Sequence, residues 1–326
     1  MPKFYHTSDD LIASIKRRIL VPINQSTFSE QDFLDFATEE MNLGVVPTVI
    51  SNHEDYYIYS EDIPLVANQV AYDIPYRAIG NKLKDVLLVD SGDNTFEMTR
   101  ISRGDDTMDG DTTYYLRLNL SRFYIENNQI ILAVSPDAVD TSYSLRVTYY
   151  LRPNALVPNS SVSQVISIDR NTGIVTVDQV PDNFLEQNLD GSPKQIDCIK
   201  AKSPHKILGF DLNVTAFDQN AATITFTDPA DIPADLAMND IIAMAGETCI
   251  PQIPSDLHVL LAHRVATRIL ESLGDSEGLQ NANAKLQELE KKSNILVTSR
   301  VDDAPKIITN KNSPLRYGLM RRRKGW

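Results

Sequence analysis

Two histidines on one predicted helix are the first residues of this 326-residue chain whose type could bind a metal ion. His258 and His263 stand five residues apart, whereas a helical pair that shares a metal usually stands four apart, on one face. No Cys or acid completes a ligand pattern around them. We therefore interpret both as polar residues of a helix surface, and we expect neither a metal nor a cofactor.

The most acidic stretch of the chain lies at residues 103–111 and faintly resembles a calcium-binding loop. Asp105, Thr107 and Asp109 alternate as oxygen ligands do in an EF-hand, and Gly110 follows them. The twelfth position of such a loop would be Leu116, where a bidentate Glu is required. The stretch is therefore interpreted as a solvated hairpin tip.

Motifs for nucleophilic or phosphate chemistry are missing from the sequence. It has no G-x-S-x-G, no Gly-rich phosphate loop and no H-E-x-x-H. We therefore predict that the protein is not an enzyme. One alternative stays open, because a glycosidase needs two carboxylates that are close in space and not in sequence. That alternative would be a hydrolase acting on cell-wall glycan.

The C-terminal residues are the clearest candidates for binding a partner. From Ala304 to Trp326 there are seven Lys or Arg and no acid, so a total charge of −13 leaves −20 on the rest of the chain. Arg can bind carboxylate or phosphate groups in fork geometry, and aromatic rings can stack. The partner is an acidic groove on another protein or DNA in a channel, and the alternative is a solvated tail. The predicted partner-binding residues are Leu315, Arg316, Tyr317, Leu319, Arg321, Arg322, Arg323, Lys324 and Trp326.

The bulk composition excludes several classes of protein. An acidic body argues against general nucleic-acid binding, which needs a basic surface. Two cysteines, Cys198 and Cys249, make no disulfide framework and fit a reducing compartment such as a bacterial cytoplasm. The first residues contain no apolar signal-peptide segment, and no run of about 18 apolar residues predicts a membrane span.

Helical patterns occupy both ends of the sequence. Residues 8–20 have Thr7 and Asp10 as a capping pair, and residues 29–43 begin at Ser29 with Asp32 three positions on. The second helix is predicted to end near Gly44, with Pro47 beyond it. Two further helices are predicted at 255–273 and 276–297, the latter with a heptad-like seam that has a gap at Ser293.

Between the helices, strand-forming residues alternate with turns from about residue 53 to 247. Strand-rich runs are predicted at 56–62, 83–90, 113–120, 123–134 and 143–153, and hairpins at 165–178 and 212–226. Pro153 and Pro158 mark a seam near residue 155. The predicted class is α+β: one helical bundle formed by the N- and C-terminal segments, a large antiparallel β insertion and an extended C-terminal arm. The predicted domains are 1–52 (N-terminal helices), 53–155 (first β lobe), 156–247 (second β lobe), 248–300 (C-terminal helices) and 301–326 (basic arm).

Residues 8–47, 245–292 and 300–316 resemble the neck adaptor proteins of podovirus-like and crAss-like tailed bacteriophages. The order of these pieces carries the resemblance. It covers both ends of the chain well and the middle more loosely. The β insertion is larger than in the smallest adaptors, which are mostly helical, and this departure leaves the contacts of the β lobes open.

The resemblance implies a structural virion protein that forms a head-to-tail connector ring, usually of about twelve copies. The ring would dock on the portal protein, contact the next neck or tail protein and let genomic DNA pass without sequence-specific binding. It would assemble in the bacterial host cytoplasm, with no membrane partner, and its arm would embrace the portal. The alternative is a baseplate or fibre-attachment protein with carbohydrate-binding β lobes, which an exposed aromatic groove on those lobes would favour.

Overall fold

The N-terminal helices begin where the sequence predicts. In this computed structural model, which describes residues 6–19, 28–53, 55–102, 122–188 and 191–297, α1 spans Ser8–Arg18 and α2 spans Glu30–Glu40. Thr7 caps α1 together with Asp10, and Ser29 caps α2 together with Asp32, each as a reciprocal capping box. Such a box satisfies backbone N–H groups that have no partner inside the helix.

The predicted end of the second helix near Gly44 is wrong. The chain stays helical through a π turn at Met41–Val45 and continues as α3, Val46–Asn52. Pro47 lies in the first turn of α3, directly after the π turn, in which the N–H of Val46 donates to the carbonyl of Met41. Proline therefore lies inside a continuous helical segment here, whereas the sequence pattern had placed it after a helix.

Seventeen strands are described between the two helical regions. They are β1 Ile58–Pro64, β2 Ala71–Asp73, β3 Ala78–Val89, β4 Thr95–Glu97, β5 Thr99–Arg100, β6 Arg122–Glu126, β7 Gln129–Leu132, β8 Ser144–Leu151, β9 Ala155–Leu156, β10 Ser163–Asp169, β11 Ile174–Val177, β12 Ile196–Ile199, β13 Ile207–Leu212, β14 Val214–Asp218, β15 Thr223–Phe226, β16 Ile241–Met244 and β17 Glu247–Thr248. The hairpins predicted at 165–178 and 212–226 are β10–β11 and β14–β15. The strand predicted at 113–120 lies outside the described residues.

The strands form three larger sheets and one short pair. The first half of the insertion makes two four-stranded sheets, in the orders β1-β8-β3-β4 and β2-β7-β6-β5. The second half makes a seven-stranded sheet in the order β13-β12-β16-β10-β11-β15-β14. The pairs are antiparallel except β5 with β6 and β9 with β17. The predicted antiparallel β insertion is confirmed.

The C-terminal helices follow a short 3₁₀ turn at Ser255–Leu257. Helix α4 spans His258–Leu273, and Gly274 ends it with φ +72°, a left-handed conformation that glycine adopts at little cost. Helix α5 spans Ser276–Val297. It packs on α4, and Ser293, which interrupts the predicted seam, is also buried.

One hydrophobic cluster joins the helices from the two ends of the chain. Ile15, Ile19 and Phe33 from the N-terminal side pack with Leu261 and Val265 of α4. The start of α1 is also joined to the segment between β17 and α4, because the N–H of Ser8 donates to the carbonyl of Cys249 at 2.7 Å. The α+β class with a shared helical bundle is therefore confirmed.

Two further clusters fill the β region. One contains the first-lobe strands and also Val162, Ile199 and Ile241, so apolar contacts cross the seam predicted near residue 155. The other lies within the second half of the insertion. The domain boundaries themselves stay a prediction. Of the helices in the described ranges, none is long and apolar enough to cross a lipid bilayer.

Candidate functional site

The predicted partner-binding residues, Leu315 to Trp326, lie outside the described residues, and so does the acidic stretch 103–111. The features that can be described are a histidine cluster, an ionic face on the helices, a buried charge network and a cleft beside it. All four lie where elements distant in sequence meet.

The interpretation of His258 as a surface residue is wrong. Its side chain is buried at the start of α4, with Nε2 3.2 Å from the carbonyl oxygen of Pro251. The rings of His6 and His205 pack on it, with centroids 5.7 and 5.8 Å away. Burial, together with the smaller effect of the two neighbouring histidines, lowers the pKa of His258 to about 4. The ring is therefore neutral at neutral pH and acts as packing between elements.

His263 and the two cysteines also contribute to packing inside the fold and do not form a reactive site. His263 Nε2 donates to the carbonyl of Ala282 at 3.1 Å and so joins α4 to α5. Both cysteines are buried, and burial raises the pKa of the Cys249 thiol to about 12, which removes it as a nucleophile at neutral pH. Across the described ranges, no three His, Cys, Asp or Glu side chains are arranged to hold a metal ion.

An ionic face ties the N-terminal helices to the C-terminal ones. Arg264 of α4 bonds Glu40 of α2 at 3.1 Å and also Glu290 of α5. Arg268 bonds Glu40 at 3.2 Å. Gly44 leaves the room this requires, because a Cβ there would lie 2.5 Å from Arg264 Nε. The two ends of the chain are thus joined at the surface as well as in the core.

A buried charge network holds the two halves of the β insertion together. Arg77, just before β3, donates from Nη2 to both oxygens of Asp197 in β12, at 3.0 and 3.1 Å. The same guanidinium contacts Asp211 of β13 at 2.5 Å and the side chain of Asn154 at 3.1 Å. Arg77 therefore links the first half of the insertion to two strands of the second.

Asp197 is fully buried and is surrounded by donors. Besides Arg77 it accepts from Asn154 Nδ2 at 2.6 Å and from the backbone N–H groups of Asp211 and Gly246 at 2.9 and 3.0 Å. Burial raises the pKa of this carboxyl, and the Arg77 charge and these hydrogen bonds oppose the rise. The network is a structural junction, because every group in it already has a partner inside the protein.

This junction was not predicted from the sequence. Arg77 and Asp197 are 120 residues apart, so no local pattern joins them. The available signal was Asp197 itself, a lone carboxylate in the apolar strand Ile196–Ile199. A charge in a strand of that kind is buried at high cost unless a cation pairs with it.

Beside the junction lies a cleft of about 560 Å³ between the first and second halves of the insertion. Its aromatic lining residues are Tyr59, Tyr76, Tyr149 and Phe210, and its carboxylates are Glu61, Asp73 and Asp211. Tyr59 and Phe210 meet edge to face at 4.9 Å. We call this feature the lobe cleft.

Comparison with known families decides the class of the protein. The model of the SU10 adaptor protein family matches residues 7–191, which is more than half of the chain. The chain belongs to the SU10 adaptor protein family. The match covers helices α1 to α3, the two four-stranded sheets and β9 to β11. A search of the curated proteins finds no match.

The family confirms the resemblance that the sequence shows to phage head-to-tail adaptors. It implies that this adaptor contacts other phage neck proteins, and it suggests a structural component of the virion neck that is not an enzyme. The described features agree with that role, because they join elements of the fold and none assembles a reactive group. The narrower assignment to podovirus-like or crAss-like phages stays a prediction.

Proposed function

We propose that this adaptor is one subunit of a head-to-tail connector ring that docks beneath the portal and continues the DNA channel to the tail. The observation that carries the proposal is the SU10 adaptor match over residues 7–191, on a chain whose two ends form one helical bundle. A ring of about twelve copies needs only one heterologous interface, repeated by rotation.

The charge distribution supports a channel through which DNA slides. Outside the 23 residues from Ala304 to Trp326 the chain carries −20, which repels DNA phosphates. DNA would pass such a surface without sequence-specific binding. The protein would assemble in the host cytoplasm and remain in the neck of the virion.

The basic arm, residues 301–326, is proposed as the docking element for the portal or a neighbouring subunit. Its cations suit the acidic surface of another protein, and the residues among them, Leu315, Tyr317, Leu319 and Trp326, supply apolar anchors. An arm that orders on binding loses conformational entropy, so it needs such anchors. DNA is the less suitable target, because these apolar side chains interrupt the charge and fit a groove.

The lobe cleft is the feature that a carbohydrate-binding baseplate or fibre-attachment protein would need. Sugar rings bind to open aromatic faces. In this cleft the guanidinium of Arg77 already lies over Tyr76 at 5.5 Å and over Phe210 at 5.4 Å. The connector therefore remains the proposed function, and sugar binding is treated below as an outcome of a test.

The proposal is tested by mixing the purified protein with the portal protein of the same phage and measuring the mass of the product. A connector gives a discrete complex whose mass corresponds to a full ring of adaptors on one portal. A protein that stays separate from the portal at micromolar concentration, whatever its own oligomeric state, contradicts docking.

A further inference from the structure

The lobe cleft carries negative charge that the fold leaves without a cation. Among the described residues, Glu61 accepts from the Tyr149 hydroxyl at 3.4 Å and Asp73 from the Gln129 amide at 2.8 Å, and neither forms a salt bridge. Both side chains are exposed.

The single arginine that lines the cleft already forms ion pairs and hydrogen bonds inside the protein, so it does not neutralise Glu61 or Asp73. Arg77 is 6% exposed and donates to Asp197, Asp211 and Asn154. Three carboxylates and one arginine give the lining a net charge of −2. A ligand that suits this lining is cationic, since a neutral sugar leaves the two unpaired carboxylates without counter-charge and an anion is repelled.

The size and the rings of the cleft favour a peptide with basic side chains. A volume of about 560 Å³ falls within the range of roughly 300–1,000 Å³ that ligand sites occupy. Tyr59 offers aromatic surface next to the carboxylates, where the apolar stem of Arg or Lys can lie. An Arg fork on Glu61 or Asp73 would then make charge-assisted hydrogen bonds.

The chain itself contains a segment with this chemistry. Arg316, Arg321, Arg322, Arg323 and Lys324 fall within nine residues, with Tyr317 and Trp326 beside them. After α5 the chain has 29 more residues, which reach about 100 Å when fully extended. A folded chain of this length is roughly 50 Å across. The residues after α5 are therefore long enough to reach the lobe cleft of the same copy or of a neighbouring one.

We infer that the lobe cleft is the receptor for the basic end of the C-terminal arm, residues 314–326, of a neighbouring copy of this chain. The inference rests on the proposed arm function and deepens it by naming the surface that receives the arm. In a ring, this contact would tie each subunit to the β region of a copy and would neutralise acidic surface that adjoining subunits present to each other.

The contact is tested by photo-cross-linking in the full-length protein. Tyr317→p-benzoylphenylalanine places a photoreactive ring in the arm while keeping an aromatic side chain. We expect cross-links to residues 58–64, 73–77 or 210–211, mapped by mass spectrometry. Mixing isotope-labelled with unlabelled protein shows which copy is reached: cross-links between copies support the inference, and cross-links confined to single copies overturn it. Cross-links that map outside the cleft overturn it.

The charge requirement is tested by Glu61→Gln with Asp73→Asn in the same photoreactive protein. Both changes keep an acceptor for Tyr149 and Gln129, so we expect folding to be retained and cross-linking at the cleft to fall on the order of tenfold. The matched control, Glu97→Gln with Asp137→Asn, changes the total charge equally at exposed positions away from the cleft. Equal yields in the two variants overturn the inference.

A sugar ligand would be recognised separately. If an N-acetylglucosamine hexamer binds the full-length protein and binding is lost with Tyr59→Ala, while Tyr317 does not cross-link to the cleft, the cleft is a carbohydrate site and the inference is wrong. The mass of the adaptor–portal complex is measured on the unmodified protein. Failure of the arm contact and failure of ring docking therefore give different results.

Discussion

Removing Arg77 should weaken the fold far more than removing an exposed arginine. Arg77→Ala takes the guanidinium away from Asp197, which is 0% exposed and stays behind in the junction between the two halves of the β insertion. Asp197 would keep its bonds from Asn154 and from two backbone N–H groups. It would lose the cation that offsets the cost of burying its charge.

The expected loss follows from the burial of this pair. Breaking a buried ion pair by removing one partner costs about 3–5 kcal/mol, because the other charge is left without compensation. The remaining hydrogen bonds to Asp197 place the expected value near the lower end, about 3 kcal/mol. With a urea dependence of about 3 kcal/mol per M, the unfolding midpoint should fall by roughly 1 M.

The assay is urea unfolding followed by far-ultraviolet circular dichroism. The matched control is Arg146→Ala, which removes the same side chain from a surface pair with Asp62 at 2.7 Å and should change the midpoint little. Adding Asp197→Asn to Arg77→Ala should recover part of the loss, because the buried charge is then gone while an amide oxygen remains to accept from the neighbouring N–H groups. If the two single arginine variants have the same midpoint, the junction does not hold the fold together as argued.

Three further changes have defined outcomes. His258 has a pKa of about 4 when folded and about 6.5 when unfolded, so the unfolded chain binds more protons between these values and stability should fall by up to about 3 kcal/mol from pH 6.5 to pH 4. His258→Gln should lose this part of the slope in urea titrations at several pH values, and an unchanged slope would contradict the assignment. Phe33→Ala should cost about 3–5 kcal/mol and speed amide hydrogen exchange in α4 as well as in α2; protection lost in α2 alone would speak against a shared helical core. Truncation after Ser313 should abolish stable portal association in a pull-down, and undiminished affinity would show that the arm is not the element that docks on the portal.

The sequence correctly predicted those helix ends that are determined by residues within one or two turns of the helix. The capping residues Thr7 and Ser29 and the left-handed Gly274 each act within one helical turn, so their positions are readable from sequence. The apolar stripes also predicted that Ile15 and Leu261 need a common core. The joining of helices from opposite ends followed from that requirement.

The sequence did not predict features that depend on contacts between residues far apart along the chain. The helix continues past Gly44 through a π turn, so Pro47 lies inside a helical segment and not after one, where the sequence pattern had predicted it. The partners of Asp197 come from four separate places in the chain, including Arg77 and Gly246. The surroundings of His258 are likewise built by His6 and His205, which no spacing rule connects.

The central claim is that copies of this adaptor form a closed ring between portal and tail. The most direct measurement is single-particle imaging of the neck in mature virions, reconstructed without imposed symmetry. The account predicts about twelve copies around the DNA channel, with the bundle of α1 to α5 recognisable in each and the ring in contact with the portal. A single copy per neck, or a position away from the channel, would contradict it.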